Sequence, residues 1–281
     1  MPGNADIQVL ISTLGVDGIG RVARMNLPRQ EGVSYLVAWQ RSDGCAVPTT
    51  LASREDVRIE RNPGIGLSDN RNFALDRATG DILIMADDDV EYNPAAFAEV
   101  RQSYERNPGL DMALFRFRNT DGSPAKRYPE AETALGDSIP KGYYVSSIEI
   151  TIRRCGKAGK LRFPLEFGIG APLFGCGEEE IFLHSALRRG CDVRLFPVKL
   201  CTHLDATTGS GAISDPRVYR GMGASIAFSQ PVLCYLRFPL LALRGAREGR
   251  MQFVKALGNF FYGALYASIR VFPKWRKEER P

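Results

Sequence analysis

Gly64-Ile65-Gly66-Leu67-Ser68-Asp69-Asn70-Arg71-Asn72-Phe73-Ala74-Leu75, continued by Ala78-Thr79-Gly80-Asp81, the apolar run Ile82-Leu83-Ile84-Met85-Ala86 and the triplet Asp87-Asp88-Asp89, is the stretch on which the fold turns. With Asn62 and Pro63 before it, the glycine pair marks a loop. Ser68 is placed to cap a helix that runs to about Ala78 and stops at Thr79-Gly80. Ile82–Ala86 suits a buried parallel strand, and it runs straight into three carboxylates. Three adjacent carboxylates are costly unless positive charge neutralises them. Open α/β sheets bind ligands at the carboxyl ends of their strands. From the triplet alone two readings stand level. One is a Mg²⁺ or Mn²⁺ site, whose hard-oxygen preference suits carboxylates. The other is a solvated acidic turn before a helix starting near Pro94.

Working outward, Ile7–Thr13, Val33–Trp39 and Val57–Glu60 read as further strands, each separated from the next by helical or turn-rich segments. Such alternation argues for an α/β fold with a mainly parallel sheet. Met112–Phe117 and Tyr143–Ile152 read as strands, with a turn-rich excursion over Asn119–Lys141 between them. Glu178–Arg189 is a helix, because Phe182, Leu183, Ala186 and Leu187 share one face and Gly190 ends it. Val193–Phe196 and Val198–Leu200 make a last, bent strand that delivers Thr202-His203. There is no internal repeat and no low-complexity segment.

The order of glycine loop, Asn70-Arg71 on a helix, Ala-Thr-Gly stop, apolar strand and Asp-x-Asp resembles the family 2 glycosyltransferases of the GT-A fold. A second block, Gly177-Glu178-Glu179, a helix, Gly190, a strand and His203, is similar to that family's Gly-Glu-Asp block and its downstream metal-ligand histidine. The resemblance covers roughly residues 7–210. It implies a Rossmann-like α/β architecture, a mainly parallel central sheet with helices on both faces. The expected nucleotide-binding part is about 1–92 and the acceptor-side part about 93–210, with 211–281 a basic helical extension. The resemblance assigns Thr13, Arg71, Asp87 and Asp88 to the nucleotide, Asp89 and His203 to a divalent ion (Mn²⁺ or Mg²⁺), and Glu179 to the base. Two departures are visible. The base position carries Glu where Asp is commoner, and Gln40-Arg41-Ser42-Asp43 stands where the family often has an acid reading the nucleotide base. The implied activity is inverting transfer of a sugar from a nucleotide donor, UDP-linked, to a glycan or glycolipid hydroxyl.

The residue types suit that chemistry independently of the family. A departing diphosphate needs positive charge as it leaves, and an acceptor hydroxyl needs a base. Taken singly, several of these residues also suit plain structural roles. Glu178, Glu179 and Glu180 are favourable first-turn acids, and the preceding glycines tip the balance to function. His203 alone reads as a buried hydrogen-bonded histidine; only its place in the second block makes it a ligand. His184, four residues from both Glu180 and Arg188, is a structural helix stripe. Arg71 has Asp69 as a local partner. Thr207-Thr208-Gly209-Ser210-Gly211 is either a flap over the donor or an inert linker. Rival classes are a non-catalytic glycan- or membrane-binding relative and a sugar-1-phosphate nucleotidyltransferase. The latter's glycine-rich, basic start is absent from Ile7–Arg24. A phosphatase would carry its Asp-x-Asp on an early strand.

The composition is that of a globular protein: 281 residues, 44% hydrophobic and 25% charged, so disorder and collagen-like repeats are excluded. Only two histidines are present, which rules out a His-rich metal site. Six cysteines without a CxxC pair read as reduced thiols of a cytoplasmic protein. No apolar run reaches the ~18 residues of a spanning helix, and the first residues lack a signal peptide's pattern. Charge is uneven: Pro231–Pro281 holds ten Lys/Arg against three Asp/Glu, and nine aromatics. An anionic membrane surface suits such a tail better than nucleic acid, because its aromatics sit among aliphatics. The protein would then be cytoplasmic and peripheral on the membrane. Gln252, Lys255, Asn259, Tyr262, Tyr266 and Arg270 share one stripe, which fits either an interfacial helix or one packed on the core.

Overall fold

The computed structural model describes residues 5–136, 139–204, 214–273 and 275. Thr207–Gly211 therefore lies outside the described residues. The chain forms two compact units that interleave in sequence. The first comprises Met1–Gly64, Asn70–Arg162 and Ser185–Asp205, and the second Ile65–Asp69, Phe163–His184 and Ala206–Pro281.

The first unit is built on one nine-stranded sheet: β1 (Ile7–Leu14), β2 (Val33–Gln40), β3 (Val57–Asn62), β4 (Ile82–Asp87), β5 (Val90–Tyr92), β6 (Leu110–Arg118), β7 (Thr133–Leu135), β8 (Ile150–Arg153) and β9 (Asp192–His203). The spatial order is β3-β2-β1-β4-β8-β6-β9-β5, with β7 also on β9. The run β3-β2-β1-β4 is wholly parallel, and β6 pairs β9 in parallel; β8, β5 and β7 join antiparallel. The inner parallel strands β1, β2 and β4 are near-continuous apolar runs because both their faces are covered, whereas the edge strand β3 is mostly polar and half-buried. On one face, Ile7, Val9 and Ile11 share a core with Ile19 and Val22 of α1 (Gly15–Arg24) and with Phe97 and Val100 of α4 (Pro94–Arg106). On the other, the Gln8 side chain accepts from the Thr79 N–H at 2.8 Å, just past α3 (Leu67–Arg77). A four-residue helix, α2 (Thr49–Ala52), lies between β2 and β3.

Three local expectations change. Ser68 lies inside α3 rather than at its cap, and its hydroxyl donates to the Phe167 carbonyl at 2.7 Å. Tyr143–Ile152 is not one strand. A 3₁₀ turn, Ser147–Glu149, precedes β8, because Ser146 and Glu149 form a reciprocal capping box that bends the chain. The excursion Asn119–Lys141 holds β7 and is pinned by Lys126, whose ammonium is 2.8 Å from the buried Glu149 carboxylate.

The second unit contains most of α5 (Glu178–Arg188) and three helices: α6 (Pro216–Ser229), α7 (Cys234–Arg247) and α8 (Phe253–Tyr266). Tyr219, Cys234, Phe238, Ala242, Ala256, Phe260 and Ala264 form the core of the three. α6 and α8 cross closely at glycines: a Cβ on Gly223 would lie 2.2 Å from the Phe260 carbonyl oxygen, and one on Gly263 2.1 Å from that of Arg220. Asn259 accepts from Arg220 at 2.8 Å, so the polar stripe of α8 meets α6. α8 is a packed helix. No described helix is long and apolar enough to cross a membrane.

Candidate functional site

β1 and β4 are neighbours in register, with Ser12 opposite Asp87, so Thr13 and the three carboxylates emerge at one sheet edge. Within this cluster each acid has different company. Asp88 is held by the protein on both oxygens. Arg21 of α1 donates to Oδ1 and Oδ2 at 2.9 Å each, and the Thr13 hydroxyl donates to Oδ2 at 2.5 Å. Burial raises the Asp88 pKa above the ordinary carboxylate value, against the opposing pull of Arg21 and Thr13. The absent side chain of Gly18 leaves room for this contact: a Cβ there would lie 2.3 Å from Thr13 Oγ1 and 3.0 Å from Asp88 Oδ2.

Asp87 meets Arg71 and Ser147. Arg71, only 1% exposed on α3, brings Nη2 to 3.3 Å from Asp87 Oδ1. The Ser147 hydroxyl donates to Asp87 Oδ2 at 3.1 Å. Arg71 thus pairs with Asp87, across the end of the sheet. Asn70, beside Arg71, donates to the Ala38 carbonyl at 2.8 Å and the Thr13 carbonyl at 3.3 Å, while accepting from Asn62 at 3.0 Å. One buried amide therefore ties α3 to the ends of β1, β2 and β3.

Asp89 meets His203. The imidazole Nε2 stands 3.2 Å from Asp89 Oδ2, and His203 is 8% exposed. Asp89 Oδ1 is buried with no hydrogen-bond partner, a costly state for a carboxylate oxygen. An oxygen in want of a positive partner, beside an imidazole, fits a divalent ion such as Mn²⁺ or Mg²⁺. Among the described residues no group of three or more His, Cys, Asp or Glu side chains could hold a metal. Among the described residues the cluster therefore offers two donors, Asp89 and His203, and an ion bound there would need further oxygens, such as those of phosphate or water, to complete its shell.

Glu179 is carried by the second unit, on the first turn of α5, and is half-buried. Glu178 is buried at 3% exposure, and Glu180 lies 3.8 Å from His184, the helix stripe read from the sequence. The first unit gathers Thr13, Arg71, Asp87, Asp88, Asp89 and His203 at one end of the sheet. Arg21 and Ser147, which the sequence did not single out, join them through Asp88 and Asp87. Nothing local marks Arg21. Ser147 was legible in part, since Ser146-Ser147-Ile148-Glu149 has the spacing of a capping box.

Residues 46–165 match the family model described as glycosyl transferase family 2. That segment is similar to the family 2 glycosyltransferases. The matched segment contains Arg71 and Asp87–Asp89, whereas Thr13, Glu179 and His203 lie outside it. The chain has the GT-A fold. A similar solved structure is S. aureus TarS 1-349 in complex with UDP-GlcNAc: 18% identity, TM-score 0.61, covering 92% of this chain and 81% of that one. The UDP complex of TarS 1-349 gives 15% identity and TM-score 0.56, covering 94% and 91%. S. aureus TarS itself gives 15% and 0.55, covering 93% of this chain and 55% of TarS. At such identities the likeness speaks for the fold alone. No curated protein matches the sequence.

Proposed function

We propose that the protein is a glycosyltransferase that moves a sugar from a UDP-linked donor to a glycan or glycolipid hydroxyl, with inversion at the sugar carbon and with a divalent ion. One observation carries the metal part: the buried, unpartnered Asp89 Oδ1 next to His203. The UDP-GlcNAc and UDP complexes of TarS support a uridine nucleotide here. Asp89 and His203 would hold Mn²⁺ or Mg²⁺, which would offset the charge developing on the leaving diphosphate.

The chain's own residues supply the rest. Asp87, oriented by Arg71 and Ser147, faces the nucleotide. Asp88, fixed by Arg21, keeps the Thr13 end of β1 in place for the same ligand. Glu179 takes the proton of the acceptor hydroxyl as that oxygen bonds to the sugar carbon. The bond from that carbon to the phosphate oxygen breaks, and UDP leaves with the electron pair. One base and no identified protein nucleophile favour this single displacement. The basic, apolar region 231–281 fits an acceptor held at an anionic membrane surface. The test is Mn²⁺-dependent hydrolysis across a panel of nucleotide sugars. Turnover of a UDP-sugar that stops with chelator is the expected result, and no turnover of any donor would overturn the reading.

A further inference from the structure

α7 carries two opposed faces. Cys234, Phe238, Ala242 and Gly245 are buried and recur at helical spacing against α6 and α8. The opposite face repeats Leu233, Leu236, Leu240 and Leu243, exposed at 57%, 73%, 69% and 41%, with Val232 before it at 79%. Large apolar side chains are normal on a surface when scattered, but a continuous stripe marks an interaction site. Arginine accompanies the stripe. Between Pro231 and Arg250 the chain has four arginines and one acid, Glu248, whose carboxylate is bound by both Arg244 and Arg250 at 2.9 and 2.8 Å. Arg237 donates to the neutral Gln230 amide at 2.8 Å and so keeps its charge on this face.

The geometry points to α7 as the element that lies on an anionic lipid surface, leucines down among the acyl chains and arginines at the phosphates. This rests on the membrane reading above and narrows it to one helix face, different from the α8 stripe visible in the sequence. Three features select lipid over other occupants. Exposed leucines interleaved with arginines match a bilayer interface, which offers hydrocarbon and phosphate within a few ångströms of each other. A second copy of the chain would set arginine against arginine. At 14 residues, α7 spans about 21 Å, too short to cross a hydrocarbon core of about 30 Å but ample to lie along it.

The experiment is co-sedimentation of the full chain with vesicles of phosphatidylcholine alone or mixed with phosphatidylglycerol. The chain should bind the mixed vesicles and be released as salt rises. Leu236→Glu/Leu240→Glu, at exposed positions that leave the core intact, should weaken that binding about tenfold or more, with donor hydrolysis and circular dichroism unchanged. Arg237→Glu/Arg247→Glu should weaken binding to the mixed vesicles only. If wild type fails to bind, the membrane reading falls with the inference. If wild type binds and both variants bind equally well, the membrane reading stands and α7 is not its contact. A wild-type dimer in sedimentation that the leucine variant dissolves, without vesicle binding, assigns the stripe to a second copy and overturns the proposal.

Discussion

His203 Nε2 lies 3.2 Å from Asp89 Oδ2 because the sheet, and not the side chains, sets their approach. The short strand β5 pairs antiparallel with the end of β9, placing Val90 opposite His203, and the Leu204 N–H donates to the Asp89 carbonyl at 2.8 Å. Main-chain hydrogen bonds thus deliver an imidazole to a carboxylate from the far end of the unit's sequence.

Since backbone pairing holds the two residues, Asp89→Ala should keep the fold and lose the ion. Titration calorimetry of UDP with Mn²⁺ should show affinity reduced by at least the ~10–100-fold that loss of a metal's supporting partner costs. Unchanged affinity in a folded variant would remove Asp89 as a ligand. His203→Ala should weaken binding in the same direction.

Glu179→Gln keeps size and removes the proton acceptor. Transfer should fall by ~10²–10⁴-fold while UDP affinity stays near wild type, read by comparing product formation with donor binding. Glu178→Gln, at a buried position, should instead lower the unfolding midpoint. Glu180→Gln should be close to neutral in both assays.

The buried Lys126–Glu149 pair fixes the segment that presents Ser147 to Asp87. Lys126 is 3% and Glu149 0% exposed in their side chains, and the Ser146 N–H also donates to Glu149 at 2.7 Å. Lys126→Met leaves a buried carboxylate without its cation and should cost roughly 3–5 kcal/mol in urea unfolding. Burial raises the Glu149 pKa, with Lys126 opposing. The folded chain then holds that proton to higher pH than the unfolded chain does. This residue's contribution to stability therefore falls as pH rises from the ordinary glutamate value through the raised one. Glu149→Gln should flatten that part of the stability-versus-pH curve; an unaltered slope would show that another group sets it.

Gly18→Ala forces a methyl to within 2.3 Å of Thr13 Oγ1. The expected cost is about 1–3 kcal/mol of stability, with a raised KM for the donor as the Thr13–Asp88 contact opens. Adding Thr13→Ala should recover stability without restoring KM. Recovery of both would mean that the Thr13 hydroxyl matters only for packing.

Much of the β1–β4 region was readable along the chain. Ile82–Ala86 leads into Asp87–Asp89, the Asn70-Arg71 helix precedes it, and strand, turn and helix signals there are local, because a buried parallel strand must be apolar throughout and must end where polarity resumes. The same local rules exposed the opposed charges of α5 and the basic tail. Long-range pairing was not readable in this way. Asp88 lies beside Arg21, Asp87 beside Ser147, and Asp89 beside His203, and three identical residues acquired three different partners. α7 and α8 are both amphipathic on paper, yet only the close crossing of α6 and α8 at Gly223 and Gly263 decided which face of α8 is covered, and α7 kept its leucine stripe outward. Periodicity names the faces of a helix, but which face is buried depends on the surface it meets, and that surface exists only once the chain has folded.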